Sequence, residues 1–377
     1  MKSVMTVLGP VDRDALGVTL PHEHVQIDLS ALFEPPENPA RAYLVESRVS
    51  RDLYPVLVED PYQCQDNMLL DEPDVAAREL LRYRDAGGRT LVDLSTRTIG
   101  PYPTVLRDLA RRTGLNIVAG TGYYVERLHP TYVADVPYEA LRDEMRHDLE
   151  EGFFDTGVRA GILGELGTSS PVRPDEVKVL RAAAAVQRVT GVGINVHLAI
   201  FAAEGLRVLD LLETFGADLS RVALSHLDEH LDPAYHRAIA KRGAFLSFDT
   251  FGSECEFRES GEAEPKDGDR LVALERLLDA GHVQQVLLAQ DVCTKMQWRH
   301  YGGKGYDHVL SAIVPQLLAR GVPRGDIETM LVHNPTRLLA GHRLGGSARE
   351  PRRVPRPPSR SASQVSRDHP RHRDRPL

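Results

Sequence analysis

Short apolar runs alternate with amphipathic or loop stretches from residue 19 to about residue 340, and this alternation constrains the fold more than any other feature of the 377-residue chain. Strands are predicted at the run ending in His22-Glu23-His24 and at 90–95, 116–124, 160–167, 193–198, 222–227, 243–252 and 285–292. Helices are predicted at 74–86, closed by Gly87-Gly88, and at 103–113, closed by Gly114, because glycine after the last periodic residue is a C-cap signal. Repeated βα units imply a parallel sheet, and eight of them predict a closed (β/α)8 TIM barrel. No Gly-x-Gly-x-x-Gly follows the first strand to favour an open dinucleotide-binding sheet.

Two stretches exceed minimal barrel units. Residues 30–73 and 251–269 are polar, Pro-bearing or acidic, and are expected to lie over the C-terminal face as long βα loops that shape a pocket. The barrel is expected to occupy 1–342. Beyond it, 343–377 is rich in Arg, Pro and Ser; from Arg349 on, nine Arg face three carboxylates, about +6 by residue count, although the whole chain carries -8. That composition predicts a disordered tail, and the acidic body offers no broad groove for a phosphate backbone. Nucleic acid and membrane are therefore not expected as partners, and a homodimer is compatible with the sequence. The start has no signal-peptide pattern and no long apolar span follows, so a cytoplasmic protein is expected. Cys64, Cys255 and Cys293 have no Cys-x-x-Cys spacing, which argues against a disulfide framework and a thiolate zinc site.

What the predicted strands end in is the second constraint. His22 and His24 share one side of the first strand, because side chains alternate across a strand. With 15 His in the chain, roughly 0.6 such His-x-His pairs are expected by chance, so the pair alone decides nothing. Glu165, His197, His226 and Asp291 close later strands in the same manner. Barrel active sites lie at strand C-termini, so all six converge on one mouth. Two divalent ions suit this set: His22, His24 and Asp291 on the first, His197 and His226 on the second, and Glu165 bridging. Zn2+ is the expected metal, and Mn2+, Co2+ or Fe2+ also suit imidazole and carboxylate ligands. A bridged pair about 3.5–4 Å apart supplies hydroxide at neutral pH. The His226-x3-His230 spacing does not fit the helical His-Glu-x-x-His motif, because no acid follows the first His and the segment leaves a strand. His129, His300, His308 and His333 have no spacing partner and are read as supporting or structural residues.

The opening Val7-Leu8-Gly9-Pro10 and Gly17-Val18-Thr19-Leu20-Pro21-His22-Glu23-His24, with 160–169, Ser225-His226-Leu227-Asp228, Gln290-Asp291-Val292, 301–306 and His333-Asn334-Pro335, resemble the phosphotriesterase-related proteins of the amidohydrolase superfamily. The resemblance runs from Thr6 to about Leu339 and implies a metal-dependent barrel hydrolase. Two departures bear on substrate. Glu165 stands where the phosphotriesterases proper carry a carboxylated lysine, and Thr250 follows Asp249 where they carry a His. Relatives with this pattern include lactonases and hydrolases of amides or esters, so the resemblance favours carbonyl chemistry.

The expected reaction is attack of a metal-bridging hydroxide on a lactone, ester or amide of a small-molecule substrate. Asp291 is the expected catalytic residue, taking the proton and returning it to the leaving group. Tyr123 and Tyr124 close the third strand, Lys295, Arg299 and Tyr301 follow the eighth, and all five are read as substrate contacts, the cations receiving an anionic group. Phosphoester or phosphotriester hydrolysis at the same centre is the alternative enzyme reading, and a catalytically silent metal-binding module the alternative from another class.

Overall fold

A computed structural model describes residues 3–258 and 260–341. The tail predicted at 343–377 lies outside the described residues. Eight parallel strands form one sheet in sequence order: β1 (Thr19–Glu23), β2 (Thr90–Asp93), β3 (Asn116–Thr121), β4 (Ile162–Gly167), β5 (Ile194–His197), β6 (Val222–Leu224), β7 (Phe245–Phe248) and β8 (Val286–Leu288). Helices α1 (Pro73–Asp85), α2 (Pro103–Thr113), α3 (Tyr138–Glu150), α4 (Pro174–Thr190), α5 (Gly205–Thr214), α6 (Pro233–Lys241), α7 (Asp267–Asp279) and α8 (Val314–Ala319) follow successive strands. β1 and β8 approach each other, so the sheet is a nearly closed (β/α)8 barrel, as the alternation predicted.

Burial explains why the strands read as continuous apolar runs: every residue of β2 and of β4 is buried, as a parallel sheet covered by helices requires. The period of two sorts them. Val92, Val118, Ile162, Ala223, Phe245 and Leu287 join one cluster to which six strands contribute, which can lie only inside the barrel. Their neighbours Leu91, Ile117, Leu163, Leu224, Leu246 and Leu288 pack outward with helix residues such as Leu80, Leu109 and Leu180. Val4 from the N-terminal hairpin and Leu338 from the last helical turn belong to the interior cluster. Gly114 takes the left-handed conformation expected of a C-cap, with φ 72°.

The two long stretches become βα loops. Residues 30–72 carry short helical turns and a strand, Leu69–Leu70, that pairs antiparallel with Ile27–Asp28. Leu32 and Tyr62 from this loop, with Ser253 and Glu264 from the loop after β7, wall one narrow cavity at the C-terminal ends of the strands. Among the described residues no helix is long and apolar enough to cross a membrane. All three cysteines are free.

Candidate metal centre

β1 delivers His22 and His24 to the same side, and their ring centroids lie 5.6 Å apart. Asp291 lies three residues beyond β8, and its Oδ1 is 3.4 Å from Nε2 of His22 and 3.2 Å from Nε2 of His24. Glu165, in the middle of β4, places Oε1 3.5 Å from His22 Nε2 and 3.1 Å from His226 Nε2. His197 at the end of β5 sets Nδ1 2.9 Å from that same oxygen and 2.8 Å from His226 Nε2. All six ligand-type residues picked out in the sequence therefore meet. The compact groups of potential ligand atoms are His22 with His24 and Asp291, and His22 with Glu165 and His226, each set within 4.8 Å.

The backbone pays for this convergence in two places. His226 has φ 61° and Asp291 φ 47°, left-handed values uncommon for non-glycine residues, and both redirect a side chain where a strand gives way to a loop. Around Glu165, Gly167 lets the backbone of Tyr124 and Val125 approach so closely that a Cβ there would lie 2.0 Å from Val125 N.

Residues the sequence reading did not single out orient the ligands. Asp249, just past β7, accepts from Nδ1 of His22 through Oδ2 at 2.8 Å, and its Oδ1 lies 3.1 Å from Nδ1 of His226 and accepts the His226 amide at 2.8 Å. Ser95 Oγ lies 3.0 Å from Nδ1 of His24. A carboxylate on Nδ1 fixes the tautomer and turns the Nε2 lone pair toward the shared space. Glu23, between the two histidines, accepts the amides of Gln290 and Val292 at 2.8 and 2.9 Å and so grips both sides of Asp291. Of the unpaired histidines, His129 bonds the Tyr124 carbonyl at 2.7 Å and His308 pairs with Asp267, both structural contacts.

The electrostatics fit cations. Burial by itself lowers the His22 imidazole, but Asp249, Glu165 and Asp291 outweigh it and lift it to about 9. Burial likewise pushes the Glu165 carboxyl up, yet His22 and His197 hold it well below the usual carboxylate range. His22 Nε2 and Asp291 Oδ1 are buried and have no hydrogen-bond partner. Buried polar atoms are almost always satisfied, so orphaned donor atoms aimed at one point suit a divalent ion that they would share.

The five predicted substrate contacts fare differently. Tyr124 lines the cavity, its Oη 3.2 Å from His197 Nδ1. The structure does not bring the others there. Tyr123, one position away and so on the opposite side of the chain, bonds Tyr132 and Glu144. Lys295 is held by Asp66, Asp71 and Glu72, Arg299 pairs with Asp307, and Tyr301 donates to Glu72.

An eight-stranded parallel barrel with His and carboxylate side chains gathered at the strand C-termini defines a class of enzyme barrels built to hold metal. Within that class the chain belongs to the phosphotriesterase family, whose model matches residues 2–339. It is 36% identical over 340 residues to an N-acetyltaurine hydrolase of Tetraodon nigroviridis, covering 89% of this chain and 97% of that one. A crystal structure of a resiniferatoxin-binding protein from Rhodobacter sphaeroides superposes with a TM-score of 0.88 at 38% identity, over 90% of this chain and 97% of that one. A PTE-like lactonase from Deinococcus radiodurans, solved as a mutant, does so with a TM-score of 0.71 at 29% identity, over 89% and 99%. The chain is a hydrolase of this family.

Proposed function

We propose that the chain hydrolyses a carbonyl substrate, an amide, carboxylic ester or lactone, with two divalent ions held by His22, His24, Glu165, His197, His226 and Asp291. Zinc is the metal that imidazole and carboxylate donors suit best. The observation that carries this reading is the meeting of the six side chains around His22 Nε2 and Asp291 Oδ1, two buried atoms without a partner. Amides stand first among the three because the relative at 36% identity bears the name of an amide hydrolase. Thr250, where the phosphotriesterases carry a His, favours carbonyl over phosphotriester chemistry.

When bound, ions at this centre polarise the carbonyl oxygen and lower the pKa of water toward neutrality. Everything else falls to side chains. Asp291 is 17% exposed, the most accessible carboxylate of the cluster, and takes the proton of the attacking water through Oδ2, the oxygen turned away from His22 and His24, before passing it to the leaving group. The Glu23 grip on residues 290 and 292 keeps that carboxylate aimed. Asp249 holds His22 and His226 in the tautomer that leaves Nε2 free. Ile27, Leu29, Leu32, Ile99 and Ile200 make an apolar wall that receives the acyl part and excludes water. The cavity measures about 70 Å³, room for roughly two waters at liquid density, so the acyl group is small.

The test is hydrolysis by metal-reconstituted protein across N-acyl amides, carboxylic esters, γ- and δ-lactones and aryl phosphates, with metal quantified on the same sample. Two metals per chain and turnover confined largely to carbonyl substrates are expected. Preference for aryl phosphates would overturn the carbonyl assignment. Full occupancy without turnover of any carbonyl class would leave a silent metal binder.

A further inference from the structure

Across the cavity from the histidines, the wall is built of hydrogen-bond acceptors. Glu229, Thr250, Ser253 and Glu264 line it, and no Lys or Arg is among its lining residues. The cation behind this wall is Arg270, fully buried and already engaged. Its Nη2 lies 2.7 Å from Glu229 Oε1, its Nε 3.4 Å from Asp228 Oδ2, and its Nη1 donates to the Ser253 carbonyl at 2.6 Å. Thr250 Oγ1 donates to Glu229 Oε1 as well. Both contacts therefore fall on one oxygen of Glu229, whose side chain is 1% exposed, and its Oε2 has no partner. Glu264 Oε2 accepts the Cys255 amide at 2.6 Å, and Ser253 also bonds its carboxylate. A single guanidinium thus stands against the three carboxylates of Asp228, Glu229 and Glu264.

Burial, with Glu264 nearby, lifts the Glu229 carboxyl to about 8 even though Arg270 draws it down, and burial lifts Glu264 as well; the surplus carboxyls therefore hold protons at neutral pH, which an added cation with N–H donors would displace. We infer that this wall receives an ammonium group on the substrate's leaving portion, one N–H going to Glu229 Oε2 and the charge facing Glu264. The inference rests on the carbonyl-hydrolase reading and names its substrate class: short N-acyl diamines or the corresponding amino esters. Glu229 lies three residues after His226, its amide bonded to the His226 carbonyl at 3.1 Å, so only a short chain separates the ammonium from the scissile carbonyl. A hydroxyl would satisfy the orphaned oxygen but would leave the raised carboxyls protonated. A sulfonate, carboxylate or phosphate at this wall would meet acceptor side chains, with no Lys or Arg among the cavity's described lining residues to receive it. On this point the chain parts from the relative named for N-acetyltaurine, whose substrate carries a sulfonate.

The experiment compares kcat/KM of the metal-loaded full chain on acetamides that differ only in the far end. N-acetylethylenediamine, N-acetyl-1,3-diaminopropane and N-acetylputrescine are cationic at neutral pH, N-butylacetamide is neutral, and N-acetyltaurine and N-acetyl-β-alanine are anionic. The best cationic acetamide is expected to exceed the neutral one by roughly tenfold or more and the anionic ones by more. Glu229→Gln and Glu264→Gln are each expected to cut the cationic-to-neutral ratio by about tenfold, and this ratio cancels any loss common to all substrates. Neutral or anionic acetamides preferred by the parent chain would overturn the ammonium site and leave carbonyl hydrolysis standing. Absence of turnover on every carbonyl class would overturn the reading beneath it. Calorimetric binding then decides the ammonium site separately: 1,3-diaminopropane binding tighter than taurine upholds it, and equal or weaker binding overturns it.

Discussion

Two charge clusters sit on the same face of the barrel, and they are finished in opposite ways. Around Lys295, 2% exposed, the three N–H donors of the ammonium meet Asp66, Asp71 and Glu72 at 3.0, 2.9 and 3.0 Å. Asp66 accepts further from Arg48 and from the Val49 amide, and although burial acts to raise its carboxyl, these donors hold it below the usual range. Every proton there has an acceptor. Around His22, the Nδ1 side is as fully wired, through Asp249 and Ser225, while the Nε2 side is bare. Complete pairing makes a strut that fixes the loop of residues 30–72 against the segment after β8. Incomplete pairing, supported from behind, makes a site.

Substitutions should separate the two. Asp291→Asn is expected to retain the fold and thermal midpoint while lowering kcat by about 10²–10⁴, the contribution of a positioned acid/base; near-parental turnover on the best substrate would remove Asp291 from its role. Lys295→Met is expected to do the reverse. It should destabilise the chain by about 2–3 kcal/mol in denaturant unfolding, below the usual figure for a broken buried pair because Asp71 and Glu72 reach water, and leave metal stoichiometry intact. Loss of metal without loss of stability would show that this cluster, too, serves the site.

Smaller effects probe the wiring itself. Asp249→Asn is expected to weaken metal affinity by about 10–100-fold in a chelator competition, because the amide no longer fixes the tautomers of His22 and His226. The pH dependence of loading has a definite sign. With His22 at about 9 in the metal-free chain, the imidazole is protonated at neutral pH and must release that proton to bind a cation. Apparent affinity should therefore fall by about tenfold for each pH unit below 9, and by more if His226, which Asp249, Glu165 and Asp291 also raise against its burial, releases a second. A flat profile between pH 6 and 9 would show that the cluster is neutral before loading.

Those two clusters were unequally legible in the sequence. A ligand at a strand end is a local fact: an apolar run stops, and the next polar residue has a place in the barrel. His22, His24, Glu165, His197, His226 and Asp291 could all be read that way. Lys295, Arg299 and Tyr301 have the same local signature after β8, but their partners Asp66, Asp71, Glu72 and Asp307 are set by how the loops fold, which no periodicity reports. Asp249 was visible as a strand-end carboxylate, yet its two bonds to imidazoles from β1 and the end of β6 require the closed barrel. The Arg270 cluster was hidden for a further reason, because Arg270 lies on α7, in what reads as an ordinary amphipathic helix.

The Glu23 grip makes closing the barrel and completing the site one event. Glu23 belongs to the first strand of the barrel, and the amides it accepts are 267 and 269 residues downstream. Until that distance is bridged, Asp291 has only the local bond from Gln297 Nε2 to its carbonyl at 3.0 Å, and the histidines of β1 face an unfinished ring. A chain truncated before residue 292 therefore keeps His22, His24, His197 and His226 but lacks half of the clasp on Asp291, and if the proposed ions bind, their loss from such a chain would report an unclosed barrel.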